Sequence, residues 1–114
     1  MSGSDFAATV IKDGNDTVIK LKGDVNRDAE GGLSAAYEEA QDGPGRLLLD
    51  FVEVDYINST GIALIVGVLA RARAASRSVG AFGLTPHYQE LFQITRLSDF
   101  MEIYDNSAAA AVID

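Results

Sequence analysis

The sequence predicts an α/β domain built on a small, mainly parallel β-sheet. Strand-like and helix-like segments alternate along the chain in the order β-β-α-β-α-β-α-β-α, which is typical of parallel strands joined by right-handed crossover helices. A short apolar run between breakers, RLLLDF, predicts a central strand that is covered on at least one face. With 114 residues, of which 47% are hydrophobic, the chain is expected to form one folded domain, residues 1–114.

The first predicted element is a β-hairpin. Residues 6–11 and 17–21 are rich in β-formers, and the turn-forming run DGND separates them. Residues 23–26 (GDVN) are expected to end the second strand and to open a helix over residues 28–41. Apolar residues at three- and four-residue spacing form one stripe on that helix, namely Leu33, Ala36, Tyr37 and Ala40. The run DGPG at residues 42–45 ends the helix.

The middle of the chain holds the predicted central strand and a long helix. Residues 46–51 form the strand, and residues 53–57 continue as extended chain or loop. A helix over residues 61–76 follows the run NSTG, and its first ten residues are apolar on nearly every side. A helix lying on a sheet buries only one stripe, so the remaining apolar faces must be covered by other helices or by another protein.

The last third of the chain contains two short predicted strands and two helices. Residues 80–84 form a strand, Thr85 caps the next helix, and Pro86 occupies the first turn of that helix. Residues 97–100 are a predicted loop and residues 101–104 a final strand. A terminal helix is expected over residues 107–113.

Composition excludes several classes of function. Nine Lys and Arg against 17 Asp and Glu give a net charge of −8, which does not fit nucleic-acid binding. The chain contains no cysteine and only one histidine, His87, so we expect no metal and no cofactor. The apolar helix is too short to cross a bilayer, which takes about 20 residues. Because the first residues, MSGSDF, carry no signal-peptide pattern, a cytoplasmic location without membrane insertion is expected.

Few residues offer catalytic chemistry. His87 lies beside a proline at a predicted helix start, where a surface or capping role accounts for it. Asp50 with Glu53 or Asp55 could form an acid/base pair near the hydroxyl residues that follow the strand. The nucleotide-binding patterns GxGxxG and GxxxxGK[ST] are both missing. We therefore expect no enzyme, with a small-molecule or catalytic site around these carboxylates as the remaining alternative.

The run Asn58-Ser59-Thr60-Gly61 is the candidate site. Asn, Ser and Thr are preferred helix caps, so plain capping is one interpretation. The other is a phosphorylation switch, because two hydroxyl residues lie at a helix N-terminus beside an apolar surface. A helix N-terminus tolerates a phosphate, whereas a partner docked on apolar surface does not tolerate a nearby dianion. The residues alone leave both interpretations open.

Three segments carry a resemblance to a known family. The central run LLLDFVEVDYINSTGIALIVGVLARA resembles the core of STAS domains, specifically the bacterial anti-sigma factor antagonists. The runs GDVNRDAEGGLSAAYEEA and LTPHYQELFQITRLSDFMEIYDN are similar to the first helix and the closing segment of the same family. The resemblance implies a mostly parallel or mixed sheet of four to five strands with helices packed mainly on one side. It also implies a non-enzymatic regulator of sigma-factor-dependent transcription.

The resemblance implies a cycle of partner switching. The unphosphorylated antagonist would bind an anti-sigma factor that is also a serine/threonine kinase, would be released on phosphorylation, and would be reset by a phosphatase. The implied phosphoacceptor is Thr60, with Ser59 less favoured, and Gly61 would leave room for a partner backbone. Asn58 and Asn26 stand where the family pattern has Asp. The implied partner-binding residues are Asn26, Asn58, Ser59, Thr60, Gly61 and Ile62. The alternative is a STAS scaffold or accessory subunit of a stress-sensing or transport complex that works without phosphorylation.

Overall fold

A computed structural model describes residues 5–104 of the chain. The strands are β1 (Ala7–Asp13), β2 (Asp16–Val25), β3 (Leu47–Ile57), β4 (Val79–Phe82) and β5 (Glu102–Tyr104). The helices are α1 (Glu30–Ala40), α2 (Ser59–Ala74) and α3 (Pro86–Ile94), with 3₁₀ turns at Arg27–Ala29 and Leu97–Asp99. The predicted terminal helix over residues 107–113 lies outside the described residues.

The five strands form one mixed sheet in sequential order, β1-β2-β3-β4-β5. The β1–β2 hairpin is antiparallel, and the other three strand pairs are parallel. Because every crossover advances to the next strand in the same direction, right-handed connections place α1, α2 and α3 on the same side of the sheet. The expected fold class, a mostly parallel sheet with helices mainly on one side, is confirmed.

The main core lies between the sheet and the three helices. Side chains from α1, α2 and α3 join those of the central strands in one buried cluster. Phe51 of β3 and Phe92 of α3 meet edge to face at its centre, with ring centroids 5.9 Å apart. The opposite face of the sheet carries a smaller buried cluster. It consists of Val18, Leu48 and Phe82, with Tyr104 packed against them.

Strands β2 and β3 are longer than the sequence indicated. The expected break at residues 23–26 is wrong, because β2 continues to Val25, and residues 53–57 belong to strand β3 rather than to a loop. Parallel pairing runs from Thr17↔Leu47 to Val25↔Ile57, with register shifts between Lys20 and Lys22 and after Gly23. At both shifts β3 carries the extra residue, as in a β-bulge. The long pairing brings the end of β2 directly beside the start of α2.

Candidate functional site

The candidate site lies at the carboxyl edge of the sheet, where β2 and β3 end together. Val25 and Ile57 are register partners at the ends of these two strands. The backbone N–H of Asn58 donates to the carbonyl oxygen of Val25 at 3.2 Å. Asn26 and Asn58 each follow one of the paired residues, so the structure brings these two asparagines to one edge of the sheet.

Asn58 is the N-cap of α2. Its backbone is extended, and its side-chain Oδ1 accepts a hydrogen bond from the N–H of Gly61 at 2.8 Å. Its carbonyl oxygen accepts the first helical bond, from the N–H of Ile62 at 2.9 Å. The predicted capping role is confirmed, and the cap is Asn58 rather than either hydroxyl residue. The helix begins at Ser59, two residues before the predicted start.

Ser59 and Thr60 are exposed on the first turn of α2. That turn contains no acidic residue. Because the N–H groups and the partial positive charge of a helix concentrate in its first turn, an added anion there meets a favourable field. Asn58 supplies the cap, and Thr60 is an exposed residue on the same turn.

Gly61 has a different surrounding from the one expected. It is buried, and a Cβ built on it would collide with the carbonyl oxygen of Val25 and approach Cγ2 of Ile57 to 3.1 Å. The backbone that comes close to Gly61 therefore belongs to the chain itself. The space that the family resemblance assigned to a partner backbone is occupied by the backbone of Val25.

Asn26 performs a capping role of its own. Its side-chain Oδ1 accepts a hydrogen bond from the N–H of Asp28 at 2.9 Å, at the head of the 3₁₀ turn that leads into α1. The residue is half-buried. Residues 26 and 58 thus both use the oxygen of a neutral amide side chain to cap a helical turn.

Helix α2 keeps an apolar face in contact with solvent. Ala63, Val66, Gly67 and Ala70 are exposed, and Val66 retains 44% of its accessible surface. Ile62 is half-buried and packs against the main core. The predicted surplus of apolar surface on this helix is therefore confirmed, and it begins within one turn of Thr60.

The sequence model of the family described as "Mlab, STAS domain" matches residues 8–103. This match covers most of the chain, from the second residue of β1 to the middle of β5, and includes the capped start of α2. The chain belongs to the STAS domain family.

The curated relatives of this STAS domain include proteins named "Anti-sigma-B factor antagonist". The protein from Listeria monocytogenes is 40% identical over 57 residues, which is 50% of each chain. The protein from Staphylococcus aureus is 30% identical over 67 residues, which is 59% of this chain and 62% of that protein. The STAS domain therefore aligns with about half to three fifths of the length of these relatives.

Solved structures share the fold at low sequence identity. SpoIIAA, an anti-sigma factor antagonist solved in its unphosphorylated form, gives a TM-score of 0.70 at 18% identity, covering 93% of this chain and 94% of that one. An anti-sigma factor antagonist from Mycobacterium paratuberculosis gives 0.74 at 14% identity, covering 96% and 93%. A sulfate transporter family protein from Wolinella succinogenes gives 0.75 at 11% identity, covering 88% and 84%. At these identities the likeness establishes the STAS fold.

Two carboxylates of the alternative catalytic site, Asp50 and Asp55, lie apart on strand β3 of the STAS domain. Asp50 accepts a hydrogen bond from the N–H of Val52 at 2.9 Å, and Asp55 is exposed five residues further along the strand, a separation of roughly 15 Å. The third carboxylate, Glu53, forms an ion pair with Lys20 at 3.0 Å. Residues 5–104 contain no group of three or more metal-ligating side chains. None of the helices in this range has the length and hydrophobicity for a membrane crossing.

Sequence reasoning missed one residue that supports the site. The hydroxyl oxygen of Tyr88, on α3, accepts a hydrogen bond from the backbone N–H of Ile57 at 3.0 Å. This bond fixes the last residue of β3, immediately before the Asn58 cap. The only sequence signal is the position of Tyr88 one turn after the Thr85 cap, and that signal does not reveal a contact across 31 residues.

Proposed function

We propose that this STAS domain is an anti-sigma factor antagonist controlled by phosphorylation of Thr60. In the unphosphorylated form it binds an anti-sigma factor that is also a serine/threonine kinase, and the sigma factor is set free. The observation that carries the proposal is the exposure of Thr60 on the first turn of α2, next to the exposed apolar face of that helix. The names of the curated relatives support the same role.

The phosphorylation step transfers the γ-phosphoryl group of ATP to Oγ1 of Thr60. The bond between the β-γ bridging oxygen and the γ-phosphorus breaks, a new O–P bond forms, the hydroxyl proton is released, and ADP leaves. The product carries a charge of about −1.5 to −2 and three strong acceptor oxygens. The free N–H groups of the first turn of α2 can accept this group, so the fold itself tolerates it.

The bound partner does not tolerate the phosphate in the same way. Docking on the apolar face of α2 would remove water from a dianion on a protein that already carries −8. A hundredfold loss of affinity requires only about 2.7 kcal/mol, which is within reach of one poorly solvated charge. Release of the kinase follows, and a phosphatase that hydrolyses the phosphothreonine ester restores the binding form. Because the cycle runs on ATP, we place it in the cytoplasm.

The proposed partner surface surrounds the start of α2. Thr60, Ser59 and the apolar face of the helix form its centre, and Asn26 and Asn58 lie at its edge on the sheet side. Ile62 contributes the part of its side chain that the core leaves exposed. Gly61 acts from beneath, because its packing on Val25 sets the position of the helix turn that presents Thr60.

The deciding experiment uses the anti-sigma factor kinase that we propose as the partner. Wild type and two variants, Thr60→Ala and Ser59→Ala, are incubated with that kinase and ATP, and their intact masses are measured. We expect one added phosphate on wild type and on Ser59→Ala, and none on Thr60→Ala. A phosphate that persists in Thr60→Ala would contradict the assignment of the acceptor.

A STAS accessory subunit that works without phosphorylation is the second candidate. The matched family model is described as "Mlab, STAS domain", and the neutral Asn58 departs from the acidic pattern of the antagonists. In that case the kinase leaves the mass of wild type unchanged, while a partner binds the apolar face of α2 with or without ATP.

A further inference from the structure

Strand β1 is a long edge of the sheet. Within residues 5–104 its only strand partner is β2. It runs for seven residues without a proline, and its pairing with β2 has no register shift. The strand at the other edge, β5, has only three residues. A long and regular edge of this kind is open to pairing with another chain, because its free backbone groups lie in a row.

Alternate residues of β1 direct their backbone N–H and C=O groups away from β2. Asp13 and Asp16 are register partners on either side of a two-residue turn, and the residues that flank such a turn exchange hydrogen bonds. Because bonded and non-bonded pairs alternate along antiparallel strands, the odd-numbered residues of β1 bond to β2. Ala8, Val10 and Lys12 therefore present their N–H and C=O groups at the open edge.

The side chains of β1 alternate between the two faces of the sheet. Ala8 and Val10 pack against the main core on the helix side. Thr9 and Ile11 lie on the opposite face and are exposed, and Ile11 keeps 46% of its surface. A strand added beside β1 meets these two β-branched side chains, which form favourable cross-strand pairs with other β-branched residues.

A recess of about 200 Å³ lies between the end of β1 and the end of α1. Lys12 of β1, Glu39 of α1 and Asp42, which follows α1, are its charged residues. None of the three forms an ion pair with another residue in the part of the chain that the structure describes. Two carboxylates against one ammonium group leave the recess negative, like the chain as a whole at −8, so a cationic side chain is favoured there.

We propose that β1 accepts an extended segment of a protein partner as a sixth strand, with lysine or arginine at alternate positions of that segment. The outward backbone groups of β1 bond to the segment, and its basic side chains lie on the helix side, beside Glu39 and Asp42. Its other side chains pack beside Thr9 and Ile11. Strand addition at a sheet edge is a common mode of peptide recognition.

A second copy of this chain is a less suitable occupant of the edge, because it brings a further charge of −8, whereas a basic segment is attracted. The inference does not depend on phosphorylation of Thr60. The recess includes Thr17, at the amino end of β2, whereas Thr60 lies beyond the carboxyl end of that strand.

The test uses two synthetic peptides of about nine residues, in which valine and threonine alternate with either lysine or glutamate. Each is titrated into the full-length ¹⁵N-labelled chain. Amide chemical shifts give the affinity, and amide hydrogen exchange reports new backbone hydrogen bonds. We expect the lysine peptide to bind about five- to tenfold more tightly than the glutamate peptide at low salt. We also expect it to slow the exchange of the outward N–H groups of Ala8, Val10 and Lys12.

Two variants locate the charge. Glu39→Gln is expected to weaken binding of the lysine peptide about two- to fivefold, whereas Glu38→Gln should leave it unchanged, because Glu38 faces Arg71 of α2. Both glutamates are exposed, so both variants should fold. Unchanged exchange of the three outward N–H groups, equal binding of the two peptides, or equal effects of the two substitutions would overturn the proposal. Protection of these N–H groups that rises with protein concentration alone would overturn it in favour of a second copy.

Discussion

The carbonyl oxygen of Val25 occupies the space that a side chain at Gly61 would need. The same oxygen accepts a hydrogen bond from the N–H of Asn58 at 3.2 Å. The end of β2 is thus joined to the start of α2 by a hydrogen bond and by direct packing of backbone on backbone. Any change at this contact is transmitted to the helix turn that carries Thr60.

Replacement of Gly61 by alanine tests this contact. We expect Gly61→Ala to lower the free energy of unfolding by about 1–3 kcal/mol, because the new methyl group must displace the Val25 backbone. Gly67→Ala is the matched control on the same helix. Its Cβ points into open space, and we expect a gain of up to about 1 kcal/mol from helix propensity. Urea denaturation measures both, and equal effects of the two substitutions would refute the close packing.

The cap at Asn58 gives a second prediction. Asn58→Ala removes the acceptor for the Gly61 N–H, and we expect a loss of about 1 kcal/mol in thermal or urea unfolding. Asn58→Asp keeps the acceptor and adds a negative charge at the positive end of α2, so we expect a gain of about 0.3–1 kcal/mol at low salt. If Asn58→Asp is less stable than wild type, repulsion between the new carboxylate and nearby acidic side chains exceeds its attraction to the positive end of α2.

The same Asn58→Asp variant also tests the effect of a carboxylate at residue 58, where the family resemblance implies Asp and this chain has Asn. If the neutral amide eases phosphorylation, Asn58→Asp should be phosphorylated more slowly by the cognate kinase, since the transferred group is itself anionic. Initial rates from intact-mass time courses give the comparison. Identical rates in the two proteins would show that the charge at residue 58 has no part in the step.

Local signals in the sequence predicted most of the fold. Thr85 and Pro86 mark the start of α3, where the N–H of Tyr88 reaches the Thr85 hydroxyl at 3.4 Å. The run NSTG marked the start of α2 to within two residues. Such signals are readable because a cap and its helix are neighbours in sequence.

Contacts between residues far apart along the chain could not be predicted from the sequence. In β3 the register shifts place Phe51, Val54 and Ile57 at three-residue spacing in the main core, so the strand lacks the two-residue period by which strands are recognised. Nothing in the run NSTG indicates that Val25, 36 residues earlier, lies against its glycine. The exposure of Thr60 follows from the choice of Asn58 as cap, and the sequence offered three candidates for that role.

The pair Asp16–Arg46 gives a prediction about pH. Arg46 Nη2 lies 2.7 Å from Asp16 Oδ2, and the Arg46 Nε and backbone N–H both donate to Oδ1. Hydrogen bonding from the Arg46 side chain holds the pKa of Asp16 below its ordinary value. The unfolded chain therefore takes up the proton first, so this stabilisation is complete above about pH 4 and is lost as pH falls further through the folded pKa.

Asp16→Asn isolates that contribution. We expect it to cost about 1.5–3 kcal/mol at pH 7, the range for hydrogen bonds to a charged group, and to flatten the decline in stability below about pH 4. Asp99→Asn is the control, because its pair with Arg96 is exposed on both sides and such pairs contribute about 0–1 kcal/mol. Chemical denaturation across pH 2–7 distinguishes the two variants. If the free energy of unfolding of Asp16→Asn and of wild type falls in parallel with pH, the Asp16–Arg46 pair does not contribute the predicted pH dependence.

Substitutions at Ile62 and Val66 distinguish a core position of α2 from a position on its exposed apolar face. Ile62 packs partly against the main core, whereas Val66, one turn later, is 44% exposed. We expect Ile62→Asp to lower the melting temperature, because a carboxylate enters a half-buried apolar site, and Val66→Asp to leave it within a few degrees of wild type. An Ile62→Asp protein with the melting temperature of wild type and no partner binding would assign residue 62 to the interface alone.

Thr60→Glu is expected to weaken binding of the proposed kinase partner and, at the same time, to leave the domain at least as stable. A glutamate in the first turn of α2 meets the positive end of the helix and should add about 0.3–1 kcal/mol to the free energy of unfolding. The same charge facing a docked apolar surface should reduce affinity about tenfold or more, since each factor of ten is about 1.4 kcal/mol. Glutamate carries less charge than a phosphate, so the phosphorylated protein should bind more weakly still.

The uncharged variant Thr60→Gln has a similar shape and supplies the control for that experiment. Isothermal titration calorimetry with the kinase should place its affinity close to wild type, and Ser59→Glu should lie between Thr60→Gln and Thr60→Glu if the partner covers mainly residue 60. Equal losses for Thr60→Gln and Thr60→Glu would show that size, and not charge, excludes the partner. Because both variants are expected to fold with stability near that of wild type, a change in affinity then reports on the interface itself.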